Sequence, residues 1–181
     1  LPIGQTTICL GGTISVSYSI DSDADAGNIY SAQLSDASGS FANPVTIGNL
    51  TAVSAGTITA IIPTNTIIGT GYRIRVVSSL PVVIGSDNGT NLSVQNLMPQ
   101  PVVFSNFDIF FCSNSGGTLS SSVTNPGYTY QWYRNNIAII GATIESYHVS
   151  TEGSYAVRVT SPDGCSRLSS SYTALATSAP Q

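Results

Sequence analysis

The sequence predicts an all-β chain folded as two β-sandwiches in tandem. Three observations carry this. Apolar and polar residues alternate through most of the chain, no window shows an apolar stripe at helical spacing, and one set of landmarks occurs twice in the same order. Residues 13–20, TISVSYSI, put Ile14, Val16, Tyr18 and Ile20 on one face and Ser15, Ser17 and Ser19 on the other, the mark of a half-buried strand. Similar segments are expected at 29–35, 45–50, 57–62, 72–77 and 92–94, separated by Ser-Gly, Asn-Gly and Pro turns. The pattern halts at LMPQPVV, residues 97–103, where two prolines favour extended backbone, and then restarts. The expected division is therefore a first sandwich over residues 1–97, a linker over 98–103 and a second, shorter sandwich over 104–181.

The restart is a degenerate repeat. Cys9 followed by GGTISVS, residues 11–17, is echoed by Cys112 followed by GGTLSSS, residues 116–122, and Tyr72-Arg73-Ile74-Arg75-Val76 by Tyr155-Ala156-Val157-Arg158-Val159. The interval between landmarks is longer in the first copy. Within the second, Tyr130-Gln131-Trp132-Tyr133 has the form of the strand that carries the core Trp of an immunoglobulin-like sandwich. Arg134-Asn135-Asn136 reads as the tight turn after it, and Tyr155 as the tyrosine whose hydroxyl bonds back to the preceding loop. The fold class is thus two tandem immunoglobulin-like β-sandwich domains. Tandem, weakly similar modules are the hallmark of stalks, scaffolds and adhesins.

Composition narrows the function classes. The chain has 181 residues, 8% of them charged, with a formal net charge of −4. An acidic, lysine-free chain has no electrostatic grip on nucleic acid or anionic lipid. No apolar run approaches the roughly 18 residues that a spanning helix needs, so no membrane insertion is expected. The opening at Leu1, without a start Met or signal peptide, reads as an excised piece of something larger.

The three cysteines invite a pairing. In antibody-like domains the bridging Cys lies two residues after the strand Tyr, but here that position is Val157. Cys112 and Cys165 both fall toward strand ends, and a bridge between them closes a loop of some 50 residues, worth about 4 kcal/mol in the chain-entropy picture. Such a bridge staples a rim and implies an oxidising, extracellular compartment. Two free thiols are the alternative. Cys9 occupies the place of Cys112 in the first copy without a matching partner there, and reads as a buried free thiol or as the partner of a module outside this chain.

Candidate sites are few. In DSDADAGN, Asp21, Asp23 and Asp25 alternate as carboxylates do at the opening of a calcium loop, but the sixth position is Ala26 and the twelfth Ala32, which excludes the helix-flanked type. A looser calcium site in a sandwich loop competes with a solvated acidic turn. Tyr128, Tyr133 and Tyr147 are candidate sugar contacts, Arg73 and Arg75 candidate contacts for an acidic partner, and Phe104, Phe107, Phe110 and Phe111 a cluster suited to packing the first strand of the second copy. Three Asn-X-Ser/Thr sequons begin at Asn49, Asn88 and Asn91. His148 is the one histidine, with Glu145 and Glu152 near it, and no nucleophile elbow or Gly-rich oxyanion loop accompanies it, so no enzyme is expected.

The stretches GNIYSAQLSDASGSF, residues 27–41, and GTGYRIRVVSS, residues 69–79, resemble a recurring immunoglobulin-like module of very large secreted and surface proteins of the Bacteroidota. The second copy, with Cys112, YQWYRNN, Tyr147, Gly153-Ser154-Tyr155 and Asp163-Gly164-Cys165, is similar to a short sandwich module that accompanies it. The resemblance implies export, commonly by the type 9 pathway, and a repetitive extracellular protein serving adhesion, gliding or display of an appended enzyme. It assigns no catalytic or binding residue. The leading expectation is a non-catalytic structural and adhesive stalk segment at the cell surface, needing no cofactor, with calcium as the one candidate ion. Its partners would be neighbouring domains of a larger chain, surface glycans or further copies of itself. A carbohydrate-binding accessory module of a secreted hydrolase and a filament subunit are the alternatives.

Overall fold

The computed structural model describes residues 3–112 and 115–177. They contain strands and turns without an α-helix, and no helix is long and apolar enough to cross a membrane. The chain divides into two compact units, Leu1–Leu97 and Met98–Gln181, each with its own apolar core.

The first unit runs β1 (Thr7–Cys9), β2 (Thr13–Tyr18), β3 (Ile29–Leu34), β4 (Val45–Thr51), β5 (Gly56–Ile61), β6 (Gly69–Tyr72), β7 (Ile74–Ser79), β8 (Val82–Asp87) and β9 (Leu92–Gln95). One sheet is the antiparallel pair β2-β5, the facing one is β4-β3-β7-β8, and a third set is β1-β9-β6, in which β1 runs parallel to β9. The expected alternation is realised in β2: Ile14, Val16 and Tyr18 are buried while Thr13, Ser15 and Ser17 face solvent. Ile14, Val16, Ile58 and Ala60 meet Tyr30, Ala32, Leu34 and Ile74 in the core between the sheets.

The single strand expected over residues 72–77 is two strands. Tyr72 pairs with Leu92 in one sheet, and from Ile74 onward the chain pairs with β3 in another. The crossing at Arg73 brings Gly71 against the Ala37 carbonyl, where a Cβ would lie 2.2 Å from that oxygen, so only glycine fits. The backbone N–H of Arg73 donates to Ser35 Oγ and the Ser35 N–H donates to the Arg73 carbonyl, which supplies partners at the break.

The second unit runs β10 (Val103–Ser105), β11 (Phe110–Cys112), β12 (Gly117–Ser121), β13 (Thr129–Arg134), β14 (Ile137–Ala138), β15 (Ser146–Val149), β16 (Gly153–Thr160), β17 (Ser166–Leu168) and β18 (Tyr172–Thr177). Sheet β10-β12-β15 faces sheet β11-β18-β16-β13-β14, with β17 added to the far end of β16. Asn135 and Asn136, with φ of 49° and 65°, form the two-residue turn that sets Arg134 opposite Ile137, as the sequence leads one to expect. Trp132 is fully buried and its indole N–H donates to the Ile144 carbonyl at 3.0 Å. The residues expected as a linker belong to this unit. Met98, Pro101 and Val103 are buried, Met98 and Val103 as part of the second core, and the Gln100 side chain donates to the Leu168 carbonyl.

Both units carry the same corner. The Tyr155 hydroxyl donates to the Thr151 carbonyl at 2.6 Å, and the Tyr72 hydroxyl to the Ile67 carbonyl at 2.5 Å. The repeat detected between the two tyrosine strands is therefore a structural repeat, pinned at the same turn.

Candidate binding surfaces

The acidic loop between β2 and β3 is exposed at Asp21, Asp23 and Asp25. Its backbone is tied down: the Ala24 N–H donates to the Val53 carbonyl, and the Asp25 N–H to the Leu80 carbonyl. The residue that organises this end of the unit is Asn28, which the sequence does not single out. Its side chain is completely buried; Oδ1 accepts from the N–H groups of Ser79 and Leu80 at 2.9 and 2.8 Å, and Nδ2 donates to the Ala52 carbonyl. The three carboxylates line the loop without converging. Among the described residues no group of three or more His, Cys, Asp or Glu side chains gathers as a metal site would need.

The three candidate tyrosines do not share a face. Tyr147 packs inward between Trp132 and Tyr155, with ring centroids 6.1 and 5.8 Å away, and Tyr128 packs against the same core. Tyr133 points the other way from Trp132 on β13, and the Arg158 guanidinium lies over its ring at 5.7 Å from the centroid. A row of aromatic rings on which a polysaccharide could stack is thus not formed by these three.

The first unit's arginines are satisfied locally. Arg73 bonds the Asn91 side chain and meets Asp87 at 3.3 Å, while Arg75 donates to Gln33 and lies over Phe41 at 4.4 Å from the ring centroid. The phenylalanine cluster splits: Phe111 is buried and Phe107 packs edge-on against it and Tyr172, but Phe104 and Phe110 remain more than half exposed. His148 is exposed on β15.

The Cys112–Cys165 bridge is not formed. Cys112 is a free, exposed thiol, whereas Cys165 and Cys9 are disulfide-bonded, so Cys9 is not the free thiol expected of it. The reason is strand parity. Phe111 points into the core from β11, which turns its neighbour Cys112 to solvent, while Cys165 is buried in the β16–β17 hairpin.

Two features had no place among the expected sites. The first is the apolar run on β8, where Val82, Val83 and Ile84 are 80%, 52% and 65% exposed on the outer edge of a four-stranded sheet. The second is a cavity of about 400 Å³ in the first unit, between the end of β2 with its following loop and the β7–β8 hairpin. In the sequence, residues 82–84 stand out as an apolar run, but nothing there says which side of them is covered.

One loop is ordered by a single carboxylate. Asp36 Oδ1 accepts from the Ser38 N–H, the Ser38 hydroxyl and the Ser40 N–H at 2.9, 2.7 and 2.9 Å, and these bonds, the Ser38 hydroxyl first, hold its pKa below the ordinary aspartate value.

No family model and no curated protein matches the chain. Solved structures align with most of its length at low identity. The fibronectin(III)-like modules of Clostridium thermocellum CbhA are 13% identical over 97% of this chain and 92% of theirs, with a TM-score of 0.37. A chain from the complex of Dpr2 Ig1-Ig2 with DIP-Theta Ig1-Ig3 is 13% identical over 98% of this chain and 95% of its own, with a TM-score of 0.47. Murine CEACAM1b is 13% identical over 97% and 98%, with a TM-score of 0.42. The fold is read from the strands and cores of the chain itself, a pair of immunoglobulin-like β-sandwiches.

Proposed function

We propose that the chain is a non-catalytic structural and adhesive stalk segment of a large secreted or surface-anchored bacterial protein, of the kind the Bacteroidota export through the type 9 pathway. The observation that carries this reading is the repetition itself. Two sandwiches, each with its own core and its own tyrosine-pinned corner, follow one another with only a few residues between their last and first strands. Such units bear load and set spacing, and do their binding through loops and strand edges. The disulfide-bonded cysteines favour an oxidising, extracellular setting, and the resemblance of residues 27–41 and 69–79 supplies the bacterial origin. In this reading the partners are neighbouring domains of the parent chain, and no cofactor is required.

The test is depletion of the protein from solution by a panel of insoluble and immobilised polysaccharides, with and without calcium. A stalk segment stays in solution in both arms. Depletion lost in Tyr133→Ala, which removes the one candidate ring on the outer face of its sheet, would replace the stalk with a carbohydrate-binding module. Depletion that needs calcium and is lost in Asp23→Ala would give the β2–β3 loop a cation.

A further inference from the structure

The two units treat one side of the sandwich differently. In the first, β4 runs for seven residues beside β3 and leans onto β5 of the facing sheet. A Cβ on Gly48 would lie 2.7 Å from the Thr59 carbonyl oxygen, so the sheets meet there backbone to backbone. In the second unit the strand that follows the Trp132 strand, β14, has only two residues, and the chain reaches β15 through residues 139–145. Every residue of this side, 129–149, is described.

What the short strand leaves on the surface is apolar. Ile137, Ile140 and Ile144 are 74%, 101% and 61% exposed, whereas Ile139 packs against the core. β14 is the last strand of its sheet, and β15 is the last of the facing one. The Ile139 N–H donates to the Trp132 carbonyl, and Ala138 lies opposite Tyr133 in the next, non-bonded pair of the hairpin, so the N–H and C=O of Ala138 point away from β13. An open edge beside exposed aliphatic side chains is a template for pairing with another strand.

Opposite charges flank this patch. Arg134 ends β13, opposite Tyr155. Glu145 stands toward the start of the same strand, where burial first and the Glu145 carboxylate second raise the pKa of Tyr130. Both charged residues are exposed, and among the described residues the ion pair formed is Arg73–Asp87, which leaves Arg134 and Glu145 unpaired. A surface with one charge of each sign at its two ends complements itself after half a turn.

We propose that this edge is where two copies of the chain associate: β14 of one copy adds antiparallel to β14 of the other about a twofold axis, covering the three isoleucines and setting Arg134 of each copy toward Glu145 of the other. The edge is short and the patch small beside the roughly 800 Å² per partner of a standard interface. Association of single chains is therefore weak, in the high micromolar range, and is strengthened when modules are repeated along a parent chain. The contact goes beyond the stalk reading and is tested separately from it, with no glycan and no cation present.

The experiment is sedimentation equilibrium of the intact chain from micromolar to millimolar concentration, with amide hydrogen exchange at both extremes. A monomer–dimer equilibrium is expected, with slowed exchange of the Ala138 amide in the concentrated sample. Ile140→Asp, at a fully exposed side chain, should weaken association at least tenfold while leaving the melting temperature unchanged. Arg134→Glu and Glu145→Arg should each weaken it at least fivefold, since each places like charges at both ends of the contact, with circular dichroism checking that the Arg134 variant is folded. An equimolar mixture of these two variants should associate as the unaltered chain does, because each copy then meets its opposite charge. A strict monomer at millimolar concentration, a dimer indifferent to Ile140→Asp, or a mixture of the two charge variants no better associated than either alone would overturn the proposal.

Discussion

The two units solve one packing problem with different residues. In the second, the centre of the core is Trp132, set opposite Val157, two residues after the corner tyrosine Tyr155. In the first, Leu34 lies opposite Ile74, two residues after Tyr72, and is 1% exposed. A leucine fills less space than an indole, and the first core also holds Tyr18 against Tyr30, their tilted rings 4.3 Å apart at the centroids. The fold thus accommodates different residues at the centre of its core where the inward apolar pattern is kept.

The largest effect that separates the units should come from Trp132→Ala. It removes a fully buried side chain together with the indole hydrogen bond to Ile144. A cost of about 3–5 kcal/mol is expected, and Leu34→Ala in the first unit should cost about 2–5 kcal/mol. Urea denaturation followed by hydrogen exchange at β16 and at β7 will show which core each variant loosens. Equal loss in both units from either variant would mean that the cores are not separate.

A smaller effect tests the shared corner. Tyr155→Phe and Tyr72→Phe each delete one hydroxyl that donates to a backbone carbonyl. Each should cost about 1 kcal/mol in the same denaturation experiment, with the fold unchanged by circular dichroism. A null effect in one unit alone would show that the repeat of the bond is geometric and not energetic.

The smallest effect concerns the Asp36 loop. Its carboxylate has a native pKa below the ordinary value, so its contribution is present above the unfolded pKa and is lost as pH falls through the ordinary carboxylate range and past the native value. Because the group is exposed, the change should be local. The amides of Ser38 and Ser40 should lose protection on acidification, and Asp36→Asn should remove that pH dependence.

Strand positions were legible wherever one face is buried, because period-two alternation is what burial of one face imposes; TISVSY in β2 is the clear case. Tyr147 was legible in principle, since it alternates inward with Val149 on β15. The crossing at Arg73 was not, because the alternation runs through it unbroken and only the partner strand changes. The exposure of β8 was hidden for the opposite reason: an unbroken apolar run signals burial on both faces, and here it is an exposed edge. The cysteines could not be paired from sequence because strand-end position does not say which way a thiol points, and Phe111 had already claimed the inward direction beside Cys112. Asn28 carried no sequence signal, since its role depends on backbone groups some 50 residues away.

The most direct test of the central claim, that each unit stands on its own core, is residue-resolved amide hydrogen exchange on the intact chain carrying Trp132→Ala. The amides of β13 and β16, which pair around Trp132, should lose protection, while those of β3 and β7 in the first unit keep theirs. Equal loss of protection in both units would mean that the two cores melt as one, and the account of two separately cored sandwiches would have to be abandoned.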